Sequence, residues 1–129
     1  MIHDLDAERT GGRKLRINEH SIASLRQLDF GRHKGADWSG ERIPLLDEVI
    51  GTLPDGGRLV IEIKADAQIL PPLKRILGNG KLPPDRVTLI AFNAGTLDKA
   101  RRQFDGCRTL WLCAHHRDML GRPHLPKVG

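Results

Sequence analysis

Three short apolar runs limit what this chain can fold into. "RLVIEIK" (58–64), "RVTLIAF" (86–92) and "RTLWLC" (108–113) each have the length and composition of a strand, and segments with helical spacing separate them. Leu70, Leu73, Ile76 and Leu77 fall on one side of a helix, with Pro71 and Pro72 in its first turn and Gly78 at its end. Thr96 to Phe104 is predicted helical, with Leu97, Ala100, Arg101 and Phe104 along one stripe. Strands and helices alternating in this way predict right-handed βαβ units around a parallel sheet. Such strands are covered on both faces, which fits near-continuous apolar runs. No glycine fingerprint follows any strand, so a dinucleotide-binding fold has no support.

The chain before residue 44 is more polar. Ser21 is placed to cap a helix through Leu28, and "DFGRHKGADWSGER" reads as a glycine-rich irregular loop. Pro44 fits the first turn of a helix whose apolar face is Leu45, Leu46, Val49, Ile50 and Leu53. The segment 114–129 contains two prolines and no periodicity, and is expected to be an irregular tail.

With 129 residues there is enough chain for one domain with a core. The net charge of +5 permits an anionic partner, but the basic residues are scattered. Tyrosine is absent and aromatics are few, which argues against a base-stacking nucleic-acid surface. Cys107 and Cys113 lack a C-x-x-C spacing and are expected to be reduced thiols. No apolar stretch approaches the roughly 20 residues of a membrane span, and the N-terminus has no apolar signal core. A cytoplasmic location is expected.

Charge inside the first strand is the chemical anomaly. Alternate residues share a face, so Val60, Glu62 and Lys64 point one way and Leu59, Ile61 and Ile63 the other. In a (β/α)8 barrel the C-terminal ends of inward-facing positions build the active site. There Glu62 becomes a candidate ligand for a hard cation and Lys64 a candidate phosphate clamp. The alternative is that the two pair with neighbours or face water at a sheet edge.

Together with His3-Asp4, several segments resemble the glycerophosphodiester phosphodiesterase family. "HD" at 3–4 followed by "LDAERTGG", "SIASLRQLDFG", "GERIPLLDEVI", "IEIK" at 61–64 and "IAFN" at 90–93 resemble that family's blocks in order and spacing. Leu45 stands where the family usually has threonine, and Ala91 where it has serine. The resemblance runs from residue 2 to about residue 113. It implies a partial TIM (β/α)8 barrel, with an insertion over 5–43, βα units over 44–113 and the tail over 114–129. It also implies metal-assisted hydrolysis of small glycerophosphodiesters to glycerol 3-phosphate and an alcohol, with Mg²⁺ or Ca²⁺, in lipid and glycerol metabolism. Carried over, His3 is one of two histidines acting as general acid and base, Glu62 a metal ligand and Lys64 a stabiliser of phosphoryl charge; Asp4 orients the site.

The family's His-Arg-Gly strand and Glu-x-Asp pair do not precede His3, and strands expected after residue 113 are missing. A full barrel of this kind has about 250 residues, so a fragment or a misplaced start is expected, with weak or no activity in isolation. The alternative is a non-catalytic remnant that binds an anion or oligomerises, with another copy or a complementing chain as partner. His115 and His116 are adjacent in an extended segment and point apart, so joint chelation of a metal is not expected. His20, His33 and His124 carry no signal.

Overall fold

In the computed structural model, residues 1–113 are described, together with the backbone pairing of 116–117 with 123–124. Most of the predicted tail 114–129 lies outside the described residues; within it His116–Arg117 pairs antiparallel with Pro123–His124. The chain divides into two compact units, residues 1–49 and 50–129.

The first unit is a chain of short turns. Backbone bonds from Ala7 N–H to Leu15 O (2.9 Å) and from Ile17 N–H to Leu5 O (3.0 Å) pair its two first extended segments, enclosing helix α1 (Glu8–Gly11). Gly12 closes α1 at φ 69°, a left-handed turn that glycine adopts without steric cost. Ser21 does cap a helix, its Oγ accepting from the Ser24 N–H at 3.2 Å, but α2 spans only Ile22–Leu25. Beyond it the ladder tightens to three-residue bonds, Gln27 N–H to Ser24 O and Leu28 N–H to Leu25 O, which ends the α-helix before Leu28.

Residues 29–41 form a loop built around one carboxylate. Asp29 Oδ1 accepts from the Gly31 and Arg32 N–H groups, both at 3.0 Å, and Oδ2 from Ser39 Oγ at 3.1 Å. Phe30 N–H donates to Glu41 O at 2.8 Å and closes the loop's ends. A Cβ at Gly31 would overlap the Trp38 carbonyl oxygen, so only glycine fits there. At the tip, the Lys34 ammonium lies 5.2 Å from the centre of the Trp38 ring, within cation–π range. Helix α3 (Leu46–Gly51) begins after Pro44 rather than on it: the Glu48 carboxylate takes the Leu45 N–H at 2.7 Å and caps the first turn.

The second unit contains the predicted sheet. Strands β1 (Leu59–Glu62), β2 (Val87–Ala91) and β3 (Arg108–Trp111) are parallel, in the order β1-β2-β3, with Ile61 opposite Leu89 and Leu89 opposite Thr109. Helices α4 (Leu70–Leu77) and α5 (Ala94–Gln103) are the two crossovers, and α5 packs on β2, β3 and α4. Pro71 and Pro72 sit in the first turn of α4, and Gly78 caps it. Helix α5 starts before Thr96, because the Asn93 side chain caps it by accepting from the Thr96 N–H at 2.9 Å. Arg86 ties the entry to β2 to the turn before β1, donating through Nε to Gly57 O at 2.6 Å and through Nη2 to Pro54 O at 3.3 Å.

The core lies on one side of this sheet. Leu59, Ile61, Ile63, Val87, Leu89 and Ala91 are buried, with Leu70, Leu73, Leu97, Ala100 and Phe104 from the helices. The expected cover on both faces is not found. On the other face Val60 is 56% exposed, Phe92 60% and Leu110 51%. Both crossovers serve the same face, and no strand pairs the outer edges of β1 or β3 among the described residues. Cys107 and Cys113 are free and half-buried, as reduced thiols, and burial pushes the Cys107 thiol up.

Leu89 is fully buried at the sheet's centre, so Leu89→Ala should cost about 3 kcal/mol in denaturant unfolding; a loss under about 1 kcal/mol would contradict this packing. The open apolar face and the two strand edges should drive self-association. Light scattering should find oligomers or aggregates, and a stable monodisperse monomer would overturn that expectation.

Candidate functional site

The carboxyl ends of three parallel strands lie along one edge of the sheet, where the backbone stops pairing and side chains can meet a ligand. Strand β1 ends as a regular element at Glu62, although the Ile63 N–H still donates to Ile90 O at 2.7 Å. One residue further on, Lys64 has left the ladder. The alternation holds through this end: Leu59, Ile61 and Ile63 are buried, while Val60, Glu62 and Lys64 share the opposite face.

Glu62 Oε2 and Lys64 Nζ are 3.5 Å apart, with the side chains 25% and 31% exposed. The two therefore do pair, as the alternative drawn from the sequence had it, and they do so on the open face. At this exposure an ion pair is worth about 0–1 kcal/mol, so it holds the two side chains only loosely. By register Glu62 is level with Ile90, and Ile90 with Leu110, which gives the charged pair an apolar flank. At the end of β2, the Trp111 indole N–H donates to Phe92 O at 3.0 Å and fixes the backbone beside the exposed Phe92 ring.

His3 and Asp4 belong to the first unit. The His3 Nδ1 is 3.0 Å from Asp4 Oδ1, and Arg9 Nε donates to Asp4 Oδ2 at 2.7 Å. Arg9 first, and His3 after it, hold the Asp4 carboxyl down at about 2. An ionised carboxylate can only accept, so Nδ1 carries the proton, and in the neutral ring Nε2 is the basic nitrogen. The structure thus gives Asp4 a local partner in His3, and Glu62 one in Lys64. The role of Arg9 in fixing Asp4 was missed from the sequence, although the Arg-Thr pair lay inside a quoted motif.

Among the described residues, no group of three His, Cys, Asp or Glu side chains could hold a metal ion. A hard cation takes six or more oxygens, and Glu62 contributes one carboxylate. The residues present do not fit a complete cation site. His115 lies outside the described residues, and for His116 only the backbone pairing is described. No described helix is long and apolar enough to cross a membrane.

The carboxylates of the first unit set a test. Asp29 is held down at about 2, by the Gly40 N–H foremost, then by the Arg32 and Gly31 N–H groups and Ser39. Its pKa is lower folded than unfolded, so its contribution is fully present above about pH 4 and lost as pH falls through about 2. Acid titration followed by Trp fluorescence should show the 29–41 loop loosening in that window. Asp29→Asn should weaken the loop at neutral pH and remove this part of the acid transition; an unchanged transition would reject the assignment.

No family model matches the sequence. A curated glycerophosphodiester phosphodiesterase from Caldanaerobacter subterraneus subsp. tengcongensis is 33% identical over 78 residues, 60% of this chain and 32% of the relative. This chain therefore spans about a third of that relative's length in the match. Among solved structures, the glycerophosphoryl diester phosphodiesterase domain of an uncharacterized protein from Mycobacterium tuberculosis superposes with a TM-score of 0.68 at 19% identity. The superposition covers 84% of this chain and 41% of that one. At that identity it speaks for the fold alone. The resemblance to the glycerophosphodiester phosphodiesterase family read from the sequence is thus borne out, by sequence over 78 residues and by fold over most of the chain.

Proposed function

We propose that this chain is a single partial (β/α)8 domain of glycerophosphodiester phosphodiesterase type, contributing Glu62 and Lys64 to a phosphodiester-binding site. The observation that carries the proposal is the placement of both charges on the open face at the carboxyl end of a parallel strand. In this reading the Lys64 ammonium binds the phosphoryl oxygens of a small glycerophosphodiester and stabilises their charge as the ester is cleaved. His3 and Asp4 belong to the other unit, and for them the family resemblance alone supports the roles of acid–base group, one of a pair, and orienting carboxylate, with His3 Nδ1 against Asp4 leaving Nε2 to exchange the proton. The second member lies outside this reading of the chain. In hydrolysis, water gives a proton to the base and forms the new P–O bond, the P–O bond to the alcohol breaks, and the acid supplies the alcohol's proton. Mg²⁺ or Ca²⁺ belongs to the proposal with Glu62 as one ligand, and its other ligands would come from beyond the described residues.

Binding tests this directly. Equilibrium dialysis with labelled glycerol 3-phosphate should resolve a binding component that Lys64→Ala weakens by about tenfold, the scale of one hydrogen bond to a charged group. Unchanged binding in Lys64→Ala would reject the phosphate role.

Turnover is a separate matter. The isolated chain should hydrolyse glycerophosphocholine and glycerophosphoethanolamine no faster than background, with or without Mg²⁺ or Ca²⁺. Metal-dependent turnover abolished by Glu62→Gln would show instead that the chain completes its own site.

A second reading is a non-catalytic module that binds an anion or oligomerises. The exposed Val60, Phe92 and Leu110 on the sheet's open face favour it. The absence of catalysis in every assembly state, with oligomers held through that face, would select it.

A further inference from the structure

The first unit carries an open cleft of about 550 Å³, lined chiefly by Arg26, Gln27, Asp29, Gly40 and Arg42. A volume of this size suits a small organic ligand. Its charged groups are not equivalent. Arg26 is engaged, with Nη1 donating to both oxygens of Glu48 at 2.8 and 2.9 Å. Asp29 is engaged as well, since both its oxygens accept from the loop's own donors. Arg42 makes no hydrogen bond or ion pair with any described residue. The charge left over in the cleft is therefore a guanidinium.

From this we infer a second anion site, apart from Lys64, in which Arg42 grips a small phosphate-bearing ligand beside the fixed Arg26. A guanidinium presents paired donors that match two phosphate oxygens, and a free one is the group best suited to that geometry. Arg26, anchored by Glu48, keeps a second guanidinium at a fixed position beside it. Gln27 supplies an amide that can donate to a third oxygen. Gly40 leaves its side of the cleft open, for a Cβ there would meet nothing within 4 Å. Asp29 stays ionised in the same cleft, with its oxygens turned to the loop's own backbone and hydroxyl donors, so the ligand's contacts fall to the guanidinium side.

Equilibrium dialysis with labelled inorganic phosphate, and in parallel with glycerol 3-phosphate, tests the site on the whole chain. It needs no particular oligomeric state. The Lys64→Ala protein serves as background, so that loss of the proposed catalytic-face site and loss of this one are read separately. Saturable binding should persist in Lys64→Ala and fall by about tenfold or more when Arg42→Ala is added. The Arg102→Ala variant, a change on the exposed surface of α5, should leave it unchanged. Arg42→Lys, which keeps the charge and loses the paired donors, should retain only part of the affinity, and this also covers a folding defect in the alanine variant. Equal capture of both ligands assigns the site to the phosphate group itself, and preference for glycerol 3-phosphate adds contacts to the organic portion. No saturable binding in Lys64→Ala, or binding indifferent to Arg42, overturns the inference.

Discussion

Everything chemical in the second unit follows from the one-sided burial of a parallel sheet. Both crossovers return over the same face, so Leu59, Ile61 and Ile63 are buried while Val60, Glu62 and Lys64 are not. The period of two makes this separation strict, since a one-residue slip would bury the charges and expose the core. Burying Glu62 and Lys64 under α4 or α5 would impose a desolvation penalty of several kcal/mol per ion. The apolar set on the other side therefore fixes the direction of the two charges. The placement of the candidate site is a by-product of the core.

In the first unit the organising element is electrostatic, because regular structure is short and the chain must satisfy its backbone polar groups in turns. Asp29 does this for much of the 29–41 loop. One side chain collects the Gly31, Arg32 and Gly40 N–H groups and a hydroxyl, and the Gly31–Trp38 contact leaves no room for a larger residue. Asp4 repeats the device on a smaller scale with Arg9 and His3. In both places a carboxylate surrounded by donors is held ionised well below its ordinary range.

The strands and crossover helices were legible because their order is written in periodicity. Ends were less so. The β1 ladder stops at Ile63, and α5 starts at an Asn93 cap that the apolar stripe alone does not reveal. That cap was recoverable from residue type, as Asn just before a helical run is a start signal. Cover on both faces was a wrong expectation for "RTLWLC". Apolar content says what a strand tolerates and not which elements reach it, and Leu110 remains exposed. The Asp29 loop and the Arg26–Arg42 cleft had no periodic signature, because their contacts join residues distant in sequence or bonded to backbone. The Asp-x-Gly spacing at 29–31 was the one available hint.

The Glu62–Lys64 pair bears on what the open face can bind. An incoming phosphate must replace Glu62 as a partner of the Lys64 ammonium. Breaking a partly exposed pair costs about 0–1 kcal/mol, whereas a hydrogen bond to a charged group is worth roughly 1.5–3 kcal/mol. Exchange is thus favourable for Lys64 alone. It leaves the Glu62 carboxylate on the same face as the bound anion, where the like charges repel. A further positive charge near Glu62 would therefore strengthen phosphate binding at Lys64. Among the described residues no acidic or histidine cluster assembles one through a metal. At the proposed Arg42 site the lining carboxylate, Asp29, is ionised too, but its oxygens are fixed on the loop's own donors and Arg42 has no partner among the described residues to give up. Of the two proposed anion sites, the one at Arg42 needs less from outside the chain, and the one at Lys64 gains more from being completed.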